Sequence, residues 1–210
     1  MFWTGLSMAL MSAIYNLGSV ILQSSINALG SVYIAAQVGG RKLAELFYVP
    51  GIALGTSAAT FSSQNYGAGK HSRIAKGAKS GIFMYFCWWL VALAFVIFLA
   101  PAAVRLITGS SNPEVIANGA LYLRIGIPMI PPMAVLVILR NILQGMRRPG
   151  MPLFCSCLEL IGKVIFALWL VPAFGYLAVC ICEPVTWVIC CVVIAVAVFA
   201  IRGEFTDRHI

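Results

Sequence analysis

Charge is scarce in this chain. Only 10% of its 210 residues are Asp, Glu, Lys or Arg, where a soluble globular domain carries about 25%. Acids are the rarest, with Asp and Glu together numbering six, and there are two histidines. So little charge excludes a disordered or fibrous chain and argues against a soluble enzyme. The seven cysteines form no C-x-x-C pair, and no His/Cys/acid cluster has metal-ligand spacing, so no metal site and no cofactor are expected. Also missing are a nucleophile elbow, a Walker loop and a zinc-protease motif. Without a catalytic cluster the chain does not read as an enzyme.

What is present is apolar. Hydrophobic residues make up 61% of the chain, and its mean hydropathy is +0.97. A helix crossing a bilayer needs about 20 mostly apolar residues. Six stretches qualify: Leu6–Asn27, Ala35–Ser62, Gly81–Ala100, Ile116–Leu139, Pro152–Val171 and Leu177–Ile201. Lipid cannot hydrogen-bond an open strand edge, so each must be a helix. The expectation is an all-α integral membrane lobe over residues 1–201, with a tail over 202–210. The cysteines lie inside these runs and read as small apolar residues. The N-terminus has no basic region and no A-x-A cleavage pattern, so it does not read as a secretory signal. An uncharged first helix starting at Met1 is unusual for a whole membrane protein.

Six spans bring both termini to one side. That face receives Lys70, Arg73, Lys76, Lys79, Arg140, Arg147, Arg148, Arg202 and Arg208, nine basic residues. The other receives Arg41, Lys42, Arg105 and Arg124, four. The excess orients the first face to the cytoplasm of a plasma (inner) membrane protein. The net charge of +8 is therefore a topology signal and not a nucleic-acid site.

Ionisable residues inside a span are costly and mark candidate sites. Glu159 and Lys163 stand i,i+4 on span five and are expected to pair. Glu183 precedes Pro184 in span six, where proline disrupts the helix and frees a carbonyl. Glu45 is expected to pair superficially with Arg41 or Lys42, and Arg124 and Arg140 to snorkel to opposite interfaces. Pro50, Pro128, Pro131 and Pro184 are kink or gate candidates. Gly51-x-x-x-Gly55 reads as a close-packing face. Gln23 and Asn27, one turn apart, offer polar contacts to a cation or to a neighbouring helix.

Several runs resemble the multidrug and toxic compound extrusion (MATE) family. Leu22-Gln23-Ser24-Ser25-Ile26-Asn27-Ala28-Leu29-Gly30 looks like its seventh helix. Pro50-Gly51-Ile52-Ala53-Leu54-Gly55, leading into Gln64-Asn65-Tyr66-Gly67-Ala68-Gly69-Lys70, is similar to its eighth helix and following loop. Tyr122-Leu123-Arg124, Leu143-Gln144-Gly145, Glu159-x-x-x-Lys163 and Glu183-Pro184-x-x-Trp187 fit the same family. The resemblance implies the C-terminal six-helix lobe of a twelve-helix transporter. Its partner would be an N-terminal lobe or a second copy. The activity implied is export of small organic cations in exchange for H+ or Na+ by alternating access. In one branch of the family the C-lobe coupling acids lie on the helices matching spans one and four. Here those spans hold no Asp or Glu, which leaves Glu159 and Glu183 as the deep carboxylates. Alternatives are a flippase for lipid-linked or polysaccharide cargo within the same superfamily, or a membrane module that does not transport.

Overall fold

The computed structural model is helical almost throughout, as a chain without access to water must be. It describes residues 2–201 and Gly203, with side chains from Gly5 onward except Ser7 and Met8. The rest of the expected tail, with Arg202, Arg208 and His209, lies outside the described residues. The elements are α1 (Phe2–Leu29), α2 (Ser31–Gly67), α3 (His71–Thr108), α4 (Pro113–Gly126), α5 (Ile130–Gly145), α6 (Gly150–Ile165), α7 (Val171–Phe174) and α8 (Tyr176–Ala200). A 3-10 turn (Ile127–Met129) joins α4 to α5, and a π turn (Phe166–Leu170) joins α6 to α7.

Five segments are long and apolar enough to cross a membrane: Ala9–Leu29, α3, α4 through α5, α6 through α7, and α8. The expected second span is the exception. Its helix α2 has length to spare, at 37 residues, but holds Gln37, Arg41, Lys42 and Glu45. Of these Gln37 is buried, while Lys42 and Glu45 are exposed. The helix packs on α3, α4 and α5, and further along it Ser62 and Asn65 are buried.

Span boundaries shift where tertiary contacts extend a helix. Span three was expected at Gly81–Ala100, yet α3 runs from His71 to Thr108. Arg73, Lys76 and Lys79 therefore stand on its first turns and not in a loop. Ile74, fully buried against Ile138, Ile142 and Met146, anchors those turns. The helix ends at Gly109, whose φ of 63° suits a residue without Cβ. Asn112 then caps α4, its side chain accepting from the Glu114 amide at 2.9 Å, with Pro113 in the first turn.

Span four is one crossing in two pieces. Pro131 has no N–H, so the Ile127 carbonyl loses its α-helical donor and accepts instead from the Ile130 amide in the 3-10 turn. The Trp89 indole N–H of α3 adds a second donor at 3.1 Å. The π turn is supported in the same way, with Ser25 of α1 donating to the Ala167 carbonyl at 3.0 Å. Pro128 falls within the 3-10 turn, while Pro50 and Pro184 lie inside α2 and α8.

The small-residue face of α2 packs as expected. A Cβ on Gly51 would overlap the Tyr85 ring, and one on Gly55 would meet Asn141 at 2.8 Å. All seven cysteines are free.

Candidate functional site

Six helices converge on a partly open, partly polar cavity of about 150 Å³. Helix α2 contributes Arg41, Glu45 and Tyr48, at i, i+4 and i+7 on one face. Helix α5 contributes Met133, Leu136, Val137 and Arg140 by the same periodicity. Tyr15 enters from α1, Tyr122 from α4, Glu159 from α6, and Glu183 with Trp187 from α8.

Glu159 is buried and bonded to Arg140, whose Nη2 lies 2.9 Å from its Oε1. This corrects the expected Glu159–Lys163 pair, and equally the expectation that Arg140 snorkels to an interface. Helical spacing puts Glu159 and Lys163 on one face, but α5 delivers a guanidinium to the first and α1 takes the second. The Lys163 ammonium donates to Ser19 Oγ at 3.0 Å and sits 3.9 Å from the centroid of the Tyr15 ring. Gly18 permits that approach, because a Cβ there would come within 2.9 Å of Lys163 Cδ. A cation over an aromatic face is itself attractive.

Glu183 has a different partner. The Tyr122 hydroxyl donates to its Oε2 at 3.1 Å. Among the described residues no cation forms an ion pair with it. One turn along α8, Trp187 packs edge-on against Tyr48, with centroids 5.7 Å apart and planes at 89°. The cavity thus has aromatic walls around a carboxylate that forms no direct ion pair among the described residues. Arg41 and Glu45 pair at 3.3 Å on the more open side, with side chains 38% and 60% exposed, as expected of a superficial pair.

A second, more open pocket of about 350 Å³ adjoins the first. It is lined by Met11, Ser12 and Asn16 of α1, Gln144 of α5 and Ser156 of α6, and it shares Tyr15 and Arg140 with the cavity. Those two side chains therefore stand between the two spaces.

Other candidates lie elsewhere. Gln23 donates to Asn27 at 3.0 Å within α1, about 12–18 Å along the helix from Tyr15. Gln64, Asn65 and Gly67, expected in a loop, instead form the last turn of α2, about 30 Å of helix beyond Glu45, and Ala68 caps it. Asn65 is buried there and donates to the Phe61 carbonyl at 2.8 Å. Its own carbonyl accepts from the Lys70 amide at 2.9 Å. This segment ends the helix and takes no part in the cavity.

Sequence reasoning missed Tyr15, Tyr48, Tyr122 and Arg140 as site residues. Tyr48 and Arg140 had a signal, since each continues a one-face series on its helix. Tyr122 did not, because its contact with Glu183 spans 61 positions of sequence.

Helices with apolar outer faces around a polar, partly charged cavity define an integral membrane protein with a solute-sized site. The MatE family model matches residues 7–169, and the chain belongs to that family. Among curated proteins none matches. The solved structures it resembles are MATE-type. A MATE proline-to-alanine mutant superposes with a TM-score of 0.82 at 16% identity, covering 96% of this chain and 45% of that one. An outward-facing multidrug resistance MATE family transporter of the MOP superfamily gives 0.72 at 16% identity, covering 98% and 46%. A MOP superfamily transporter from Pyrococcus furiosus, described as having a binding pocket of reversed polarity, gives 0.68 at 17%, covering 98% and 45%. The chain thus spans about half the length of the structures it matches.

Proposed function

We propose that this lobe is the C-terminal half of a secondary transporter that exports small organic cations in exchange for H+ or Na+ by alternating access. The carrying observation is Glu183. It is a carboxylate in a cavity with aromatic walls, held by the Tyr122 hydroxyl and in no direct ion pair with a described cation. A half-buried acid within a membrane lobe binds either a proton or a cationic group, and competition between the two couples their movements. Tyr48, Trp187 and Tyr15 supply π faces for an organic ammonium. The other half of the path belongs to a partner lobe, an N-terminal one or a second copy. The orientation is that of a plasma membrane protein with both termini in the cytoplasm.

A flippase for anionic, lipid-linked cargo has one observation in its favour, the three cations Arg41, Arg140 and Lys163 around the cavity. Each is engaged, by Glu45, Glu159 and the Ser19/Tyr15 pair respectively, so they do not form an open anion cradle.

The test is gradient-driven efflux of a fluorescent organic cation from vesicles in which the chain is produced with its partner lobe. Glu183→Gln should lower the initial rate at least tenfold with protein level unchanged. A wild-type rate would remove Glu183 from the mechanism and this reading with it.

A further inference from the structure

An apolar recess of about 230 Å³ lies away from the polar cavity, in a groove between α2 and α3 with Ile142 of α5 beneath it. Ala58, Gly77 and Gly81 keep it open, and Phe61 and Met84 wall it. The Phe61 ring is seated on Gly77, where a Cβ would come within 2.6 Å of it. Ser62, buried in the lining, already bonds to the Ala59 and Ile142 carbonyls, so its hydroxyl calls for no polar occupant. Met84 and Ser80 are exposed at the mouth. Phe83, Leu90 and Phe98 are exposed along the same helix, a run of apolar surface suited to lipid.

One end of this groove is positively charged. Lys70, Arg73, Lys76 and Lys79 are all exposed there, and the sequence holds no acid between Glu45 and Glu114. Neither ion pair among the described residues uses any of the four. Helical spacing sorts them. Arg73 stands one turn before Gly77 and Lys76 one turn before Ser80, so both share the face that lines the groove. Lys79, two residues past Gly77, is carried to the opposite side of the helix.

An apolar slot open to lipid and ending in cations is complementary to a molecule with a long apolar chain and an anionic head. We propose that the groove holds one anionic phospholipid of the cytoplasmic leaflet, with an acyl chain in the recess and the phosphate beside Arg73 and Lys76. The recess is larger than the roughly 150 Å³ cavity that takes up benzene, so a segment of several methylenes enters it. Arg73 and Met84 are about 16 Å apart along α3, about half the hydrocarbon thickness, so the chain stays within one leaflet. The site lies outside the polar cavity and is independent of the solute transported. Only its leaflet rests on the cytoplasmic orientation of the termini.

The test uses phosphatidylglycerol and phosphatidylcholine that carry a photoactivatable diazirine in one acyl chain, with the full chain in lipid nanodiscs. Cross-links are mapped by peptide mass spectrometry, with and without the partner lobe. Phosphatidylglycerol should label the segments around Phe61 and Met84 at least about tenfold more than phosphatidylcholine, the scale of two basic residues at a membrane surface. Arg73→Gln combined with Lys76→Gln should bring that ratio down to about twofold or less. Lys79→Gln should leave it near the wild-type value. Ser80→Trp, which fills the groove from its exposed rim, should remove labelling of these segments by both lipids. It keeps the site testable if the double variant fails to fold.

Equal labelling by the two lipids would overturn the site. A loss on Lys79→Gln as large as that on the double variant would overturn it too, by reducing the effect to diffuse attraction at the surface. Suppression of labelling by excess soluble glycerol phosphate would assign the cations to a free phosphate and not to a lipid. Disappearance of labelling once the partner lobe is present would assign the groove to that lobe. Either result overturns the lipid. None of these outcomes bears on Glu183 or on the transport reading.

Discussion

Removing Arg140 gives the most quantitative test of how the lobe is held together. Arg140 and Glu159 meet at 2.9 Å with side chains 19% and 8% exposed, so solvent screens the pair little. Arg140→Met strands the Glu159 charge in that place. Removing one partner of a buried ion pair costs about 3–5 kcal/mol. Glu159→Gln strands the guanidinium and should cost a comparable amount. In the double variant no charge is stranded, so most of the loss should return. A double-mutant cycle should then show a coupling of at least about 4 kcal/mol, because two losses of about 3–5 kcal/mol collapse to one smaller than either. The same cycle on Glu159 and Lys163, with Lys163→Met, should show less than about 0.5 kcal/mol, the scale of an ordinary i,i+4 pair. The assay is reversible unfolding in mixed micelles, followed by far-ultraviolet circular dichroism. If the Glu159–Lys163 coupling exceeded that of Arg140–Glu159, α5 would not deliver the counter-charge. The arrangement of α1, α5 and α6 described here would then be wrong.

Two further outcomes are expected. Tyr85 is fully buried with no partner for its hydroxyl and presses on Gly51. Tyr85→Phe should therefore stabilise the lobe by about 1 kcal/mol in the same unfolding assay, since it removes an unsatisfied polar group. Topology is testable by cysteine labelling with an impermeant maleimide. Lys70→Cys should label from the cytoplasmic side and Ser111→Cys from the opposite side, and the reverse pattern would invert the proposed orientation.

The helical class follows from hydropathy alone, because a segment in lipid has few alternatives to a helix. Helix α2 falls short in hydropathy because it carries Gln37, Arg41, Lys42 and Glu45, of which Gln37 packs inside the protein and Arg41 pairs with Glu45. Hydropathy missed the breaks after Gly126 and Ile165. Those depend on which neighbour supplies a donor to a carbonyl, Trp89 for Ile127 and Ser25 for Ala167. The deep acids were legible because ionisable residues in apolar runs are rare. Their partners were not. Periodicity reports which residues share a face, but not which helix arrives at it. So Glu159 faces Arg140, Lys163 faces Tyr15 and Ser19, and Glu183 faces Tyr122.

The central claim is that the cavity beside Glu183 lies on a path opened alternately to the two sides of the membrane. Met133 lines that cavity and is largely buried. In a variant with its native cysteines replaced by serine or alanine, Met133→Cys should react with an impermeant thiol reagent from the cytoplasm under one orientation of the ion gradient. It should react from outside under the opposite orientation. Labelling from one side whatever the gradient, or from neither side under both, would contradict the account.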